Sequence, residues 1–320
     1  MAKIKPNKKT NTPPIIVPKP PYGAMADICC VPKQKTNIIR ILLIIAIVFV
    51  IVNLLVFDVA MIYSQWYTTD DAQITSDVTA DANDETCGGN VAGIELHGEL
   101  VTYLPANNTD EYGSPLADQS ASEDIVAAIK SADKDAEVKA IVLEIDSTGG
   151  SPVAGEEIAS ALKNTQKPTI ALIRNYGDSA AYWAATGAQT IFASANSDVG
   201  AIGVTMSYLD YSKQNQNNGI TYQQLSSGKL KDAGDPDKTL TEEERKYFER
   251  DVAIMGDNFI SDVSRNRHIP IEEVKKLADG SSMLGKMGLD NKLIDRIGGM
   301  PEVEAFISDL AGIKPDLCWY

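Results

Sequence analysis

Histidine and positive charge are both scarce in this chain of 320 residues. Its only two histidines are His97, in a predicted strand, and His268, after a charged helix end, so neither stands in a recognisable partner motif for a serine–histidine triad. Lys and Arg number 29 against 44 Asp and Glu, which gives a net charge of −15. Binding of phosphate backbones needs clustered positive charge, so this balance argues against a nucleic-acid partner.

The few basic residues are unevenly placed. Residues 1–40 carry seven Lys and Arg40 against one acid, Asp27, and no Lys or Arg then occurs before Lys130. Between these regions, residues 41–57 hold no charge and only one polar side chain, that of Asn53. A cleaved signal peptide would have a shorter apolar core nearer the N-terminus, and a buried core helix would show polar positions every turn. The pattern therefore predicts a single transmembrane helix over residues 38–63, which would contact membrane lipid.

The charge asymmetry also predicts the orientation of this helix and the layout of the chain. The positive-inside rule places residues 1–37 in the cytoplasm, as a disordered basic tail. Residues 64–90 are then an acidic extracytoplasmic stalk, and a folded domain follows over residues 91–320. We expect a protein of the cell membrane that crosses it once, with its folded domain outside the cytoplasm.

Four cysteines fit this layout without fixing their pairing. Cys29 and Cys30 would lie in the reducing cytoplasm, whereas Cys87 and Cys318 would share the outer side. A disulfide between Cys87 and Cys318 and two free thiols both remain open. The cysteine spacing does not favour a metal site, and we expect no cofactor.

The folded region alternates short β-branched runs with helical stretches, which indicates an α/β domain with crossovers between mostly parallel strands. Thr241 followed by Glu244 is a capping box that predicts the start of a long helix. Predicted strands are residues 91–96, 138–145, 169–173 and 190–193, and predicted helices are residues 122–132, 153–163, 180–187, 241–267, 271–278 and 301–310.

Three segments of this domain carry chemistry. Residues 146–150 read Asp-Ser-Thr-Gly-Gly, residues 178–183 read Asp-Ser-Ala-Ala-Tyr-Trp, and residues 227–232 read Ser-Gly-Lys-Leu-Lys-Asp. In order and spacing they resemble the signal peptide peptidase A (SppA) family, the membrane-bound Ser/Lys proteases of the ClpP/crotonase superfamily. The resemblance spans residues 91–299 and implies a ClpP/crotonase-like fold for the whole domain.

The resemblance also implies roles for individual residues. Ser179 matches the family's nucleophile and Lys231 its general base, with Lys229 as the alternative base. Backbone N–H groups of Gly149, Gly150 and Ala180 would form the oxyanion hole. Taken alone, the Gly-Gly pair is also typical of a plain strand-to-helix turn, and a serine at a helix start is usually only an N-cap.

Two positions depart from the family pattern. Ala201 stands where many relatives have a serine that hydrogen-bonds the catalytic lysine, so Lys231 needs another orienting group, with Thr205, Ser207 and Ser227 as candidates. Asp178 stands where relatives commonly have alanine, and it could pair with Lys231 and favour the charged amine. A lysine that acts as a base at neutral pH must lose about three pKa units, or about 4 kcal/mol, which desolvation in a covered cleft can supply.

The sequence thus predicts a membrane-anchored serine endopeptidase that degrades residual signal peptides or other hydrophobic peptides at the outer membrane face. A processing protease for one specific membrane protein and a degenerate peptide-binding scaffold are the alternatives. Related enzymes assemble into rings in which neighbouring protomers complete the site, so the resemblance also implies a homo-oligomer.

Overall fold

The computed structural model describes residue 53 and residues 88–105 and 118–320. The chain divides into two units, Met1–Ala82 and Asn83–Tyr320. The predicted tail and nearly all of the predicted transmembrane helix and stalk lie outside the described residues. Among the helices that are described, none has the length and apolar character needed to cross a membrane.

Within the described ranges, nine strands form one mixed sheet. They are β1 (Val91–Val101), β2 (Gln119–Ala121), β3 (Ala140–Gly150), β4 (Thr169–Asp178), β5 (Thr190–Ala193), β6 (Asp198–Gly200), β7 (Ser282–Leu284), β8 (Arg296–Ile297) and β9 (Leu317–Trp319). The main path runs β2-β1-β3-β4-β5-β8, and every pair along it is parallel. In addition, β9 pairs with β1 and β6 with the end of β4, both parallel, whereas β6 and β7 are antiparallel.

Helices connect most of these strands. They are α1 (Ser122–Lys134), α2 (Pro152–Lys163), α3 (Ala180–Ala185), α4 (Ser212–Asn217), α5 (Glu242–Arg267), α6 (Ile271–Leu277), α7 (Gly285–Asp290) and α8 (Met300–Ala311). The first three cross between parallel strands, from β2 to β3, from β3 to β4 and from β4 to β5. The predicted α/β class with crossovers is therefore confirmed.

Both faces of the sheet are buried. On β3, Ile141 and Leu143 belong to a large cluster that includes residues of α1, α2 and α3. Val142 points to the opposite face and joins a smaller cluster with Val303 and Ile307 of α8. Burial on both faces explains why the central strands have nearly continuous apolar sequences instead of alternating ones.

Two of the central strands are longer than the sequence predicted. Strands β3 and β4 run five residues past their predicted ends, through polar residues such as Arg174 and Asp178. These extensions have sheet partners, since Tyr176 to Asp178 pair with β6. The predicted capping box is present, because Thr241 N donates to Glu244 Oε2 (2.8 Å) and Glu244 N donates to Thr241 Oγ1 (3.3 Å).

The C-terminus returns to the start of the domain. Asn90 donates from Nδ2 to the Lys314 carbonyl (3.0 Å) and accepts from Asp316 N (2.9 Å), which sets the register of β9 on β1. Cys318 is disulfide-bonded. It is the one cysteine among the described residues, so its partner lies outside them and pairing with Cys87 stays a prediction.

Two glycines provide a matched test of this packing. A Cβ on Gly155 of α2 would lie 2.5 Å from the Ala180 carbonyl oxygen, whereas a Cβ on Gly256 of α5 would meet nothing within 4 Å. We expect Gly155→Ala to lower the free energy of unfolding by about 1–3 kcal/mol through overpacking. Gly256→Ala should raise it by about 0.5–1 kcal/mol, because alanine is the better helix former. Denaturant unfolding of the two variants checks both signs, and equal effects would contradict the packing described.

Candidate active site

Ser179 lies at the sharp junction between β4 and α3. Its backbone adopts φ 53° and ψ −125°, a conformation that costs a non-glycine residue about 1–3 kcal/mol. Two backbone hydrogen bonds hold it, from Ser179 N to the Gly200 carbonyl (2.8 Å) and from Trp183 N to the Ser179 carbonyl (2.9 Å). Ser179 occupies the N-cap position of α3, but its side chain makes no capping hydrogen bond.

The two glycines at the end of β3 lie directly against this junction. Gly149 has φ +103°, and a Cβ there would lie 2.8 Å from Ser179 Cβ and 3.0 Å from Ala180 N. Gly150 has φ +152°, and its Cβ would lie 2.2 Å from the Leu100 carbonyl oxygen. Only glycine fits either position. The fold thus brings together the Gly-Gly and serine motifs, which are separate in the sequence.

The three predicted oxyanion donors are not equivalent. Gly149 N donates to Ser147 Oγ (3.1 Å), which in turn donates to the Gly98 carbonyl (2.6 Å). Ala180 N lies in the first turn of α3, where amides have no partner within the helix. Gly150 lines the same cavity as Ser179. In this structure the Gly149 amide is therefore engaged elsewhere.

Helix α3 is anchored on two sides. The Trp183 ring stacks on Phe259 of α5, with centroids 4.6 Å apart, and Trp183 Nε1 donates to Asp262 Oδ2 (3.1 Å). Tyr182 is fully buried and its hydroxyl donates to the Leu293 carbonyl (2.8 Å). These contacts fix the helix that follows Ser179.

A cavity of about 600 Å³ opens at Ser179. Its walls come from the segment after β6, from α5 and from the segment after α6, including Ala201, Val204, Val252, Gly256, Ala278 and Asp279. A second groove of about 550 Å³ shares Val204, Thr205 and Val252 with it and continues past Met206 and Phe248. The two cavities adjoin along these shared residues, and we refer to them together as the cleft.

The predicted base does not reach this cavity within one chain. Lys231 and Lys229 are exposed in the turns of residues 227–234, and neither lines the cavity. Lys229 forms an ion pair with Glu243, whereas Lys231 has no ion pair with any described residue. The structure therefore does not bring Lys231 together with Ser179.

The lysine-bearing turns are nevertheless held firmly. Asp232 accepts from the Tyr222 hydroxyl (2.9 Å), and its carboxylate lies 3.4 Å from Lys238 Nζ. Lys238 also forms an ion pair with Glu244, which is almost fully buried at the start of α5. The Glu244 carboxylate has a lowered pKa, first because of Lys238 and then because of the Thr241 amide.

Asp178 sits beside the nucleophile in an unfavourable place for a charge. Burial, and then the nearby Asp198 carboxylate, raise the pKa of Asp178 to about 6. Its Oδ1 is buried and has no hydrogen-bond partner among the described residues.

Ala201 lines the cavity with a positive φ of 46° and offers no hydroxyl. Of the three candidate replacements, Thr205 lines this cavity, Ser207 lines the second groove, and Ser227 is exposed among the turns. Neither histidine lines the cavity. His97 Nε2 lies 3.5 Å from Glu144 Oε1, and His268 ends α5 in a left-handed conformation.

Residues 161–314 match the model of peptidase family S49. The match thus identifies this segment as a peptidase S49 domain. This segment contains Ser179, Lys231 and most of the cavity wall, whereas Gly149 and Gly150 lie just before it.

Several curated proteins are similar to this chain. One from Enterococcus faecium, which carries the name signal peptide peptidase SppA, is 32% identical over 179 residues, or 55% of this chain and 52% of that protein. Protease 4 of Haemophilus influenzae is 29% identical over 62% of this chain and 33% of its own length. The chloroplastic serine protease SPPA of Arabidopsis thaliana is 27% identical over 60% of this chain and 29% of its own length. The resemblance to the SppA family is thereby confirmed.

These similarities cover only parts of the proteins compared. The chain spans about half the length of the Enterococcus relative and about a third or less of the other two. Among solved structures, a ClpP1 variant from Listeria monocytogenes aligns over 66% of this chain and 92% of its own, with 13% identity and a TM-score of 0.42. In the described part of this chain, no three His, Cys, Asp or Glu side chains come together as a metal site requires.

Sequence reasoning missed the distant wall of the S49 cavity. Val252, Gly256 and Ile260 of α5 line it, and their spacing of four residues is the one signal that could have identified this face. Asp279 and Gly280 also line it, but they lie in a short turn with no periodic pattern.

The Asp178 carboxyl predicts how the stability of the S49 domain depends on pH. Its pKa rises from 3.8 to about 6 on folding, so the fold disfavours the ionised form. The penalty is absent below about pH 4, grows as the pH rises to about 6 and is complete above that. We expect Asp178→Asn to stabilise the protein by about 1 kcal/mol at pH 7, after allowance for solvent screening, and not at pH 4.

Thermal unfolding at pH 4, 5, 6 and 7 measures this difference. Asp198→Asn serves as the matched variant and should give a smaller gain of the same sign, because Asp198 is the second cause of the shift after burial. A gain from Asp178→Asn that is equal at all four pH values would contradict the assignment.

Proposed function

We propose that this chain is a serine endopeptidase in which Ser179 is the nucleophile and Lys231 the general base. One observation carries the proposal: Ser179 sits on a strained strand-to-helix turn at the floor of the cleft, and its hydroxyl has no hydrogen-bond partner among the described residues. A nucleophile held in this way is exposed to a bound peptide and needs little reorganisation to attack.

The proposed reaction follows from the groups around Ser179. Neutral Lys231 accepts the Ser179 proton as Oγ attacks the scissile carbonyl, and it then returns the proton to the leaving amine. Amides of Gly150 and Ala180 would donate to the oxyanion, while Gly149 allows the close approach of β3. A water activated by the same lysine then releases the acyl group, which restores Ser179.

We further propose that Lys231 acts on the Ser179 of a neighbouring copy. Support comes from its exposure and from its absence from the cavity wall of its own chain. The segment between the cavity and these turns exposes apolar side chains suited to an interface between copies, namely Met206, Tyr208, Leu209 and Tyr211. The active site would then be complete only in a homo-oligomer.

The substrate is proposed to be an extended, largely apolar peptide. The two adjoining grooves are lined mainly by aliphatic residues, with Asp279, Arg245 and Glu249 as the charged exceptions, and together they exceed the size needed for one side chain. Residual signal peptides or other hydrophobic peptides at the outer membrane face fit this cleft, as does the tail of one specific membrane protein. Comparing the membrane proteomes of cells with the wild-type chain and with Ser179→Ala separates these two.

A non-cutting peptide-binding scaffold is the second candidate, favoured by Ala201 and Asp178. Labelling of Ser179 by a fluorophosphonate probe discriminates between the two functions. Labelling that is lost in Ser179→Ala supports the peptidase, and no labelling of the wild-type chain supports the scaffold.

Membrane anchorage remains part of the proposal. Residues 41–57 carry no charge and follow a basic segment, which supports a single crossing over residues 38–63 with residues 64–320 outside the cytoplasm. Protease treatment of intact spheroplasts should remove the S49 domain and leave residues 1–37 protected. Protection of the S49 domain would overturn this orientation.

Mixing two inactive variants tests the dyad and its location together. We expect Ser179→Ala and Lys231→Ala each to lower kcat/KM on a fluorogenic apolar peptide by at least about a thousandfold. Co-assembled in equal amounts, they should recover about a quarter of wild-type activity, because one site in four combines an intact serine with a neighbour's intact lysine.

Lys229→Ala is the matched control, because this residue lies in the same turns and is equally exposed. It should keep near wild-type activity. Two inactive variants without recovery on mixing would place the lysine in the same chain, and full activity of Lys231→Ala would remove it from the mechanism.

A further inference from the structure

Asp279 is the one charged residue among the described residues that line the cavity at Ser179. The described residues that line it are glycine, proline, serine, threonine or aliphatic, with the single exception of Asp279. Its aliphatic wall is formed by Ile202, Val204, Val252, Ile260 and Ala278. A pocket that binds only apolar side chains would have no charged residue in its wall.

The Asp279 carboxylate is fixed and ionised. Oδ1 accepts from Ser281 N (2.9 Å) and from Ser281 Oγ (2.6 Å). These hydrogen bonds hold the pKa of Asp279 below its usual range, so the group carries a full negative charge at neutral pH. The turn is tied to the cavity wall by the hydrogen bond from Gly280 N to the Ile202 carbonyl (3.1 Å).

No cation of the described chain neutralises this charge. Asp279 has no ion pair within the described residues, and the nearest lysines along the chain are already engaged. Lys275 pairs with Glu272 (2.9 Å) and Lys276 with Glu273 (2.7 Å), each on α6. The Asp279 carboxylate is therefore available to a cation that enters the cavity.

The cavity also has room for a long side chain. Its volume of about 600 Å³ exceeds that of any single amino-acid side chain. On the α5 wall, Gly256 leaves open space, since a Cβ there would meet nothing within 4 Å. An aliphatic stem would lie along Val252 and Ile260, as the methylenes of lysine and arginine do on apolar surfaces.

We propose that this cavity binds a substrate side chain with an aliphatic stem and a cationic head, lysine or arginine, whose head pairs with Asp279. The inference rests on the proposed function and names the residue on the amino side of the scissile bond. The peptidase would then select a basic residue next to the cleavage site within an otherwise apolar peptide.

Two fluorogenic peptides test this selectivity, identical except for lysine or norleucine before the scissile bond. Norleucine has the same stem and no charge. The wild-type chain should show a kcat/KM about three- to fivefold higher for the lysine peptide, as expected for a solvent-accessible ion pair. In Asp279→Asn the ratio should fall to about one, mainly through a higher KM for the lysine peptide, because asparagine carries no charge. Asparagine keeps an acceptor for Ser281, so the turn itself should be preserved.

Asp290→Asn is the matched control, because Asp290 is an exposed aspartate on α7 that pairs with Lys286 (2.6 Å) and does not line the cavity. Its ratio should stay at the wild-type value. A wild-type ratio of one or less would overturn the proposal. If Asp279→Asn lowers kcat/KM equally for both peptides and shifts the pH profile, the proposal is overturned and Asp279 instead has the role of the catalytic base.

Peptide binding to the Ser179→Ala chain separates this inference from the proposed function. Its affinity should be higher for the lysine peptide than for the norleucine peptide, and the Ser179→Ala/Asp279→Asn double variant should lose that difference. Selective binding without turnover in the wild-type chain would refute the peptidase and keep the site. Turnover with equal affinities would refute the site and keep the peptidase.

Discussion

The close approach of two backbones, at Gly149 and at Ser179, is the constraint on which the rest of this structure depends. A Cβ on Gly149 would collide with the Ser179 side chain and the Ala180 amide, so the end of β3 can lie against the start of α3 only as glycine. Helices α2 and α3 also approach each other closely, because Gly155 of α2 lies against the Ala180 carbonyl. Small residues at these contacts let α2 and α3 pack tightly over the sheet, and that packing keeps Ser179 in its strained conformation.

The sequence predicted the parts of this arrangement that depend on local pattern. Central strands were recognisable as β-branched runs, because both of their faces are buried, and α5 was recognisable by its capping box. Strands β6 and β7 were not, because each has three residues and its pairing partners lie elsewhere in the chain. The order of motifs likewise indicated Ser179 and the two glycines. The four-residue spacing on α5 marks one face of that helix, but which cavity this face and Asp279 line depends on long-range contacts.

The order and spacing of the motifs also identify Lys231 as a candidate base, but they do not give its distance from Ser179. An amine in water keeps its proton, and a lysine serves as a base only where water has been removed from it. Lys231 is exposed in the single chain, although the turns around it are held by the contacts of Asp232 and Lys238. A neighbouring copy would therefore have two effects at once under the proposed mechanism: it would place the amine near Ser179 and exclude the solvent that keeps it charged.

The strain at Ser179 and the shape of the cavity are linked through β6. Ser179 and Ala201 both have positive φ, and the hydrogen bond from Ser179 N to the Gly200 carbonyl joins their two segments. Gly200 pairs in turn with Ser282 of β7, and the Gly280 amide binds the Ile202 carbonyl, so the turn that carries Asp279 is attached to the same short strand. Strained conformations persist only where surrounding contacts over-determine them. The strand that holds Ser179 in place is thus also attached to the turn that carries Asp279. We therefore expect a shift of β6 to move both residues.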